Sequence, residues 1–348
     1  MKATARLMLL SLAGTVLLAA PQAAPTATQA PTVQVPAPAQ EREVTFPGFN
    51  GFTLKGTVRP ASGHGYFAVM VAGSGPTDRN WSNPLIRNPF TGDLIPSHGG
   101  RDFAAWLGQQ GIASLRWDKR FIGSHDPKLD ISLDAQSGDI RAAMAFARTL
   151  PEAKGKKLLL IGHSEGSLMA LVTAKEADAV LLLAMPAQSM AKLVLEQVKR
   201  QLPPDMAKPN LEYLEAVFQA IRERQPRPDA GAAVLPALVT NLAEPLMRPE
   251  SVGFVRDTLD LDPWLLASRI AVPYAVVWAD RDVQTPRPKQ VPDSFKGAVV
   301  GIAEANHLLK KETRDLGLLN GATAATTYGD DTPMADLKPL AEWLKTLK

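Results

Sequence analysis

The sequence predicts an α/β protein in which helices cover a mostly parallel central sheet. From residue 66 to residue 184, short apolar runs typical of buried strands alternate with amphipathic segments typical of helices. Such alternation requires crossover connections, which join parallel strands and cover both faces of a sheet. A second observation is the Gly-x-Ser-x-Gly pattern of residues 162–166, which follows an apolar run and precedes a helical segment. A third is the helical stretch of residues 188–268, after which the strand rhythm resumes.

The composition is that of an ordinary globular protein. The chain has 348 residues, enough for one large domain with an insertion or for two small domains, and 45% of them are hydrophobic. The formal net charge is only +3, and no basic stripe is interleaved with aromatic residues, so no nucleic-acid partner is expected. The sequence has no cysteine, which excludes disulfide bonds and lipoprotein attachment. The oligomeric state is left open.

The N-terminal residues favour export. Lys2 and Arg6 precede the apolar run Leu7–Ala20, which has the layout of a secretory signal peptide and is short for a membrane-spanning helix. We therefore expect a signal peptide at 1–20, a periplasmic or secreted mature protein, and no stable membrane anchor after processing. Residues 21–40 are rich in Pro and Ala, which predicts a disordered linker. The folded domain is expected over residues 41–348.

The segments ahead of the Gly-x-Ser-x-Gly pattern predict a hairpin followed by alternating strands and helices. Two alternating segments flank Gly48 and Gly51, which is typical of an antiparallel hairpin. The predicted strands are Glu43–Phe46, Phe52–Val58, Tyr66–Val71 and Ile112–Trp117, and the predicted helices are Asp102–Gln109 and Ala135–Leu150. Ser132 or Asp134 is the expected N-cap of the second helix.

The remaining segments predict four more strands, an insertion and a final helix. The predicted strands are Leu158–Ile161, Ala179–Ala184, Tyr274–Trp278 and Ala298–Ile302, and the predicted helices are Met190–Gln201, Leu211–Arg224, Val234–Leu242, Ser251–Leu259 and Met334–Leu347. We expect the helices of residues 188–268 to form a cap that shapes access to an active site. The alternative is that they only buttress the sheet.

The Gly-x-Ser-x-Gly pattern is typical of a nucleophile elbow. Gly162 and Gly166 omit side chains where a tight strand-to-helix turn brings two backbones together, so Ser164 can expose its hydroxyl in a strained conformation. The N-terminal N–H groups of the next helix face the same point, and the N–H of Glu165 is placed to donate to a developing oxyanion. The simpler alternative is a glycine-rich turn with a capping serine.

Chain order supplies partners for Ser164. Serine is a weak nucleophile until a base takes its proton, and a carboxylate must hold the imidazole of that base in one tautomer. His307 follows the last predicted strand, whereas three histidines precede the elbow in loops and His163 adjoins the nucleophile. We therefore predict His307 as the base, the alternative being an exposed loop histidine. Asp282 is preferred to Asp280 as the acid because three residues usually separate the strand end from it.

A second oxyanion donor is expected in the loop after strand Tyr66–Val71. The segment Gly73–Asn80 is too rich in small residues to be a simple connection, and such a loop can bring a backbone N–H up to the nucleophile. We assign this donor to Ser74. No cofactor and no metal are expected, because the remaining histidines and the Gly329–Asp331 segment lack ligand spacing.

These motifs resemble those of the α/β-hydrolase superfamily. The loop Gly73–Asn80, the elbow Gly162–Gly166 and the segment Ala305–His307 are similar to secreted bacterial esterases near the serine aminopeptidase and acyl-thioesterase-like branches. The resemblance covers about residues 42–348. It implies an α/β-hydrolase fold and hydrolysis of small-molecule carboxylic esters through a covalent acyl-serine.

One further segment bears on that resemblance. Asp118 and Arg120 match an Asp-x-Arg-Gly-x-Gly pattern of these relatives, and we interpret them as structural supports for the oxyanion side, a solvated ion pair being the alternative. Phe121 stands where the pattern has its first glycine, and Ser167 replaces a glycine that is common after the elbow. These two departures concern the shape of the substrate pocket.

Two other functions stay open on the sequence. A serine-aminopeptidase-like peptidase would hold a free substrate amine with acidic cap residues, and Glu212, Glu215 and Glu223 are available, although each also suits a solvated helix face. A non-catalytic binding protein on a hydrolase scaffold is the second. A thioesterase for coenzyme A conjugates fits poorly with export, because that substrate is intracellular.

Overall fold

An eight-stranded, mostly parallel sheet forms the centre of the molecule. The computed structural model describes residues 40–124, 126 and 128–347. The strands are β1 (Arg42–Pro47), β2 (Thr53–Arg59), β3 (Tyr66–Val71), β4 (Ala113–Trp117), β5 (Lys157–His163), β6 (Ala179–Leu183), β7 (Tyr274–Ala279) and β8 (Ala298–Ile302). They lie in the order β1-β2-β4-β3-β5-β6-β7-β8. The β1–β2 and β2–β4 pairs are antiparallel and the other pairs are parallel.

Helices connect the parallel strands and cover the sheet. They are α1 (Gly99–Gln109), α2 (Leu133–Thr149), α3 (Glu165–Val172), α4 (Met190–Gln201), α5 (Pro204–Glu223), α6 (Pro236–Leu238), α7 (Glu244–Met247), α8 (Val252–Thr258), α9 (Pro263–Ala267), α10 (Gly321–Ala325) and α11 (Lys338–Thr346). Side chains of α1 and α11 pack on one face of the sheet, and those of α2, α3 and α9 pack on the other. The predicted fold class is therefore confirmed.

Burial on both faces explains the apolar runs in the central strands. All six residues of β3 are buried, with Phe67, Val69 and Val71 in the cluster under α2 and α3. The alternate residues Tyr66, Ala68 and Met70 lie in the cluster under α1. Because successive side chains of a strand point to opposite faces, a strand covered on both sides must be apolar at every position.

The segment between β6 and β7 has an apolar core of its own. Buried side chains of α4, α5 and α6, with partly buried ones of α7 and α8, form a cluster that is separate from the two sheet clusters, and Leu214, Val217 and Phe218 of α5 belong to it. Helix α9 differs, since Ala267 belongs to the sheet cluster and the Trp264 ring lies 6.1 Å from the Trp278 ring of β7. Most of the segment is thus an independent helical layer, and α9 buttresses the sheet. The division into a domain over 41–348 with a cap at 188–268 stays a prediction.

Several element boundaries differ from those expected. Helix α5 begins at Pro204, well ahead of the predicted start at Leu211, and includes Pro209 in its early turns. The predicted helix 234–242 is instead α6, a π-helical turn (Val239–Ala243) and α7. The last helix begins at Lys338, since Met334 is held in a β-bridge with Lys310. Helices α9 and α10 were not predicted, because five residues are too few to show helical periodicity.

Two further predictions concern the N-cap of α2 and the N-terminal signal peptide and linker. Ser132, rather than Asp134, caps α2, because its hydroxyl oxygen accepts from the N–H of Ala135 at 3.2 Å. The predicted signal peptide at 1–20 and all but the last residue of the predicted linker at 21–40 lie outside the described residues. No helix within the described ranges combines the length and the apolar character needed to cross a membrane.

Candidate active site

The predicted site residues gather at one edge of the sheet. Ser74 follows β3, Ser164 follows β5, Asp282 follows β7 and His307 follows β8. These four strands are parallel, so their carboxyl ends meet at the same edge, where ligands of open α/β sheets bind. Ser74, Ser164 and His307 line one pocket of about 40 Å³.

The turn after β5 holds Ser164 in a strained conformation. Its φ is 55° and its ψ is −125°, a region that residues with a side chain rarely adopt. Only glycine fits on either side, since a Cβ at Gly162 would lie 2.2 Å from the Gly166 carbonyl oxygen and one at Gly166 would lie 2.6 Å from those of Val71 and Ala72. This close approach of strand and helix is what a nucleophile elbow requires.

His307 is hydrogen-bonded to Asp282. The distance from His307 Nδ1 to Asp282 Oδ2 is 2.8 Å, and both residues are buried. The second carboxylate oxygen, Oδ1, accepts from the N–H groups of Gln284 at 2.7 Å and Thr285 at 3.0 Å. Asp280, the other candidate acid, is exposed, and its Oδ1 accepts from the Ala305 N–H at 3.4 Å. The structure therefore brings Asp282, and not Asp280, to His307.

This contact bears on the pKa of Asp282 and on the tautomer of His307. Burial opposes ionisation of Asp282, but the charge and hydrogen bond of His307 and the Thr285 donors outweigh it and hold the pKa of Asp282 below its ordinary value. Because an ionised carboxylate only accepts, Nδ1 of His307 carries the proton. When the ring is neutral, Nε2 is left as an acceptor, which is the state a general base needs.

The two residues predicted to supply oxyanion donors lie close to Ser164. Glu165 is the first residue of α3, where backbone N–H groups have no intrahelical acceptor. The loop that carries Ser74 also lies against the elbow, because a Cβ at Gly73 would be 3.3 Å from Ser164 Cβ. Thr77 restrains this loop by donating its hydroxyl to the Ser74 carbonyl oxygen at 2.6 Å.

Asp118 and Arg120 support different parts of the structure. Asp118 accepts from the Arg79 backbone N–H at 2.9 Å and from its side chain at 3.0 Å, which anchors the far end of the Ser74 loop. Arg120 makes a buried bidentate pair with Asp139 of α2, at 2.8 and 2.6 Å. Neither forms the solvated pair considered as an alternative. Ser167 also has a structural contact, since its buried hydroxyl donates to the Leu183 carbonyl oxygen at 2.9 Å.

Two aromatic residues that sequence reasoning did not assign to the site line the same pocket. Burial, together with the neighbouring His307, lowers the pKa of His163 to about 3, so its ring is neutral. Its Nε2 donates to the His307 carbonyl oxygen at 2.9 Å, and its ring stacks on Trp81 with centroids 4.4 Å apart. These contacts hold the His307 loop against the elbow. Trp81 directly follows the loop Gly73–Asn80, and this position beside a predicted site loop was the sequence signal that could have assigned it to the site.

The remaining histidines lie elsewhere. His64 contacts the Leu344 carbonyl oxygen at 3.3 Å, and His98 pairs with Asp330 at 2.6 Å. His125 is outside the described residues. Within residues 40–124, 126 and 128–347, no group of three or more His, Cys, Asp or Glu side chains is arranged to hold a metal ion.

A larger cavity of about 600 Å³ adjoins the site on the side of Glu165. It lies between the sheet edge and the helical layer, and Gly75, Glu165 and Phe121 form part of its wall. Apolar side chains from the helical layer form much of the rest, among them Met190, Val194, Phe218, Leu246 and Phe254. Glu212, Glu215 and Glu223, the acidic cap residues considered for an amine, are exposed and do not line this cavity.

The chain is similar in sequence to two curated proteins. No protein-family model matches the chain. The chain is 25% identical over 267 residues to esterase EstD of Thermotoga maritima, which covers 76% of this chain and 57% of that protein. It is 30% identical over 134 residues to polyketide transferase af380 of Aspergillus fumigatus, which covers 38% of this chain and 40% of that protein. The chain thus spans about half the length of these curated relatives.

Among solved structures, that of DcsB in complex with its substrate analogue aligns with a TM-score of 0.50 at 16% identity, over 88% of this chain and 99% of that one. At that identity the likeness concerns the fold. The sheet order, the crossover helices and the strained turn after β5 together define the α/β-hydrolase fold. The chain thus has the α/β-hydrolase fold, as the motifs predicted.

Proposed function

We propose that the protein is an exported serine hydrolase that cleaves small-molecule carboxylic esters through an acyl-serine intermediate. The observation that carries this proposal is a strained serine that shares a pocket with a carboxylate-bound histidine. Serine, histidine and aspartate in this relation are the parts that nucleophilic acyl transfer needs. The likeness to a protein named an esterase supports the ester as the bond that is cleaved.

In the proposed reaction, Ser164 Oγ attacks the carbonyl carbon while Nε2 of His307 takes its proton. Asp282 stabilises the imidazolium, and the N–H groups of Ser74 and Glu165 donate to the oxygen that becomes negative. The tetrahedral intermediate then expels the alcohol, which receives the proton from His307. Water attacks the acyl-serine in the same way and releases the carboxylic acid.

The two pockets suggest how the substrate is divided. The alcohol oxygen must lie beside His307 because that residue protonates it, and the space there is about 40 Å³. The acyl chain extends on the oxyanion side, where the cavity of about 600 Å³ begins at Glu165. A cavity of this size is within the range of ligand pockets and takes an extended apolar chain. We therefore propose esters of apolar acids with small alcohols.

Peptidase activity has less support. The acidic residues considered for an amine, Glu212, Glu215 and Glu223, are exposed to solvent. Glu212 pairs weakly with Lys208 at 3.9 Å on the same helix face. A solvated helix face accounts for all three. Glu250 of the 188–268 segment does line the cavity of about 600 Å³, but Arg248 and mainly apolar side chains line it too, so ester hydrolysis is preferred.

The test is hydrolysis of a methyl ester series and the matching p-nitrophenyl ester series, each from acetate to palmitate, with aminoacyl-p-nitroanilides alongside. We expect ester activity that Ser164→Ala lowers by about 10⁴-fold or more, because a triad acts as a unit. Activity on the anilides alone would move the protein to the peptidases. Silence on every substrate, with no labelling of Ser164 by a fluorophosphonate, would favour a binding protein.

A matched pair of variants tests the acyl cavity. Leu246 lines the cavity, whereas Leu265 of α9 is 52% exposed and does not. Leu246→Trp should shift the preferred acyl chain to shorter lengths, and Leu265→Trp should leave the preference unchanged. An unchanged preference in both variants would place the acyl chain elsewhere.

Export is proposed from the sequence alone, because the apolar run Leu7–Ala20 has the layout of a signal peptide. The measurement is the N-terminal sequence of the protein recovered from the periplasm or medium of expressing bacteria. A start near residue 21 or later in the Ala-rich segment is expected. Retention of the intact N-terminus in the cytoplasm would contradict the proposal.

A further inference from the structure

A lysine lies directly behind the loop that carries Ser74. Nζ of Lys119 donates to the carbonyl oxygen of Gly73 and, at 2.7 Å, to that of Gly75. These carbonyls stand on either side of Ser74. Lys119 follows β4 and Gly73 follows β3, so the contact spans 46 residues of chain.

The Gly73 carbonyl belongs to the same peptide group as the Ser74 N–H. A peptide group is planar, and in the trans form its C=O and N–H point in opposite directions. A cation that holds the oxygen on one side therefore fixes the direction of the N–H on the other. It also polarises the group, which makes the N–H a stronger donor.

The ammonium of Lys119 hydrogen-bonds to the loop in surroundings that disfavour its charge. Loss of solvation lowers the pKa of Lys119 to about 8, and the nearby Glu165 carboxyl partly offsets this. Among the described residues, no carboxylate lies within ion-pair distance of Nζ. The Phe121 ring is centred 5.1 Å from Nζ and lines the large cavity, so it separates the ammonium from that cavity. Phe121 is the residue that departs from the glycine of the Asp-x-Arg-Gly-x-Gly pattern.

We propose that Lys119 is a positioning residue for the oxyanion hole, acting through the Gly73–Ser74 peptide, with Phe121 as its cover. This inference rests on the proposed ester hydrolysis. A positioning role differs from a general structural role in one respect. Removing Lys119 should weaken binding of the tetrahedral intermediate and leave binding of the ground-state substrate unchanged. The interaction that is lost exists only when the carbonyl oxygen becomes negative.

The experiment compares Lys119→Met with Lys154→Met in the full-length protein. Lys154 is exposed beside the start of β5, at the opposite edge of the sheet from Ser164, so this control removes the same charge far from the site. The readouts are kcat and KM for the best p-nitrophenyl ester, and inhibition by a trifluoromethyl ketone of matching chain length. That ketone forms a tetrahedral adduct with the serine. The thermal midpoint reports folding.

We expect Lys119→Met to lower kcat about 30-fold with KM changed less than twofold, somewhat below the effect of deleting an oxyanion donor outright. The inhibition constant of the ketone should rise by the same factor as kcat/KM falls. Lys119→Arg, which keeps the charge and donors, should recover part of the loss. Lys154→Met should match the unmodified protein.

Several results would overturn the inference. One is a folded Lys119→Met variant with kcat and ketone inhibition within twofold of the unmodified protein. Another is an equal rise in the inhibition constants of the ketone and of an unreactive ether analogue, which would indicate a structural role only. If Lys119→Met does not fold, Lys119→Gln is measured in the same way and decides the matter. Failure of the proposed function looks different, since the unmodified protein itself would then lack Ser164-dependent hydrolysis and the inference would fall with it.

Discussion

Replacing Asp282 with Asn should reverse the tautomer of His307 while leaving the fold intact. Oδ1 of Asp282 accepts from the N–H groups of Gln284 and Thr285, so the amide oxygen of the asparagine must take that position. The NH₂ group then occupies the position of Oδ2 and donates toward Nδ1 of His307, 2.8 Å away. His307 must accept on Nδ1 and carry its proton on Nε2. In that state it cannot take the proton of Ser164.

The size of the effect follows from the contacts that are lost. A hydrogen bond to a charged group contributes about 1.5–3 kcal/mol, and a buried donor left without an acceptor costs about 1–3 kcal/mol more. The productive tautomer of His307 would lose both, about 4–5 kcal/mol in all. At about 1.4 kcal/mol for each factor of ten, kcat should fall about 10³- to 10⁴-fold. The two backbone hydrogen bonds remain, so the thermal midpoint should change little.

The assay is steady-state hydrolysis of a p-nitrophenyl ester by Asp282→Asn, with Asp280→Asn as the matched control. Asp280 is exposed at the end of the same strand, so the same chemical change there should leave kcat within about twofold. Retention of a tenth or more of the kcat by Asp282→Asn would refute the reasoning. So would an equal loss in both variants.

Three further predictions concern stability. Gly162→Ala should lower the free energy of unfolding by about 2–4 kcal/mol, because its Cβ would lie 2.2 Å from a backbone oxygen, whereas Gly231→Ala, with open space around it, should change little in the same denaturant titration. His163 has a pKa of about 3 in the folded protein against an ordinary value of 6.5, so below pH 6.5 the unfolded chain binds a proton that the folded protein does not. The contribution of His163 to the free energy of unfolding is therefore complete above pH 6.5 and is lost as the pH falls. The free energy of unfolding should fall by about 2 kcal/mol between pH 6.5 and pH 5, and in a His163→Asn variant it should depend less steeply on pH. Arg120→Met should lower the free energy of unfolding by about 3–5 kcal/mol, because it leaves the Asp139 carboxylate buried and unpaired. Adding Asp139→Leu should restore part of that stability. No recovery in the double variant would argue against a stabilising Arg120–Asp139 pair.

Local chemistry made much of this protein predictable. The alternation of strands and helices follows from periodicity, and the predicted bounds of β3, Tyr66–Val71, are those of the structure. The elbow was recognisable because Gly162 and Gly166 are needed within five residues of chain, where sequence spacing and spatial distance coincide. The order of Ser164 and His307 along the chain pointed to the same edge of the sheet, since parallel strands place their carboxyl ends together.

Tertiary structure alone decided what depends on distant contacts. Asp280 and Asp282 are two residues apart and chemically alike. Spacing from the strand end favoured Asp282 in the sequence, but the packing of the β7 loop against the β8 loop is what turns Asp282 to His307 and Asp280 to solvent. In the sequence, Lys119 is one of 38 Lys and Arg residues, and no pattern distinguishes it. Its hydrogen bond to the Gly73 carbonyl oxygen forms because β3 and β4 are neighbours in the sheet. Local patterns specify the backbone path within an element, whereas the partners of a side chain depend on which elements lie beside it.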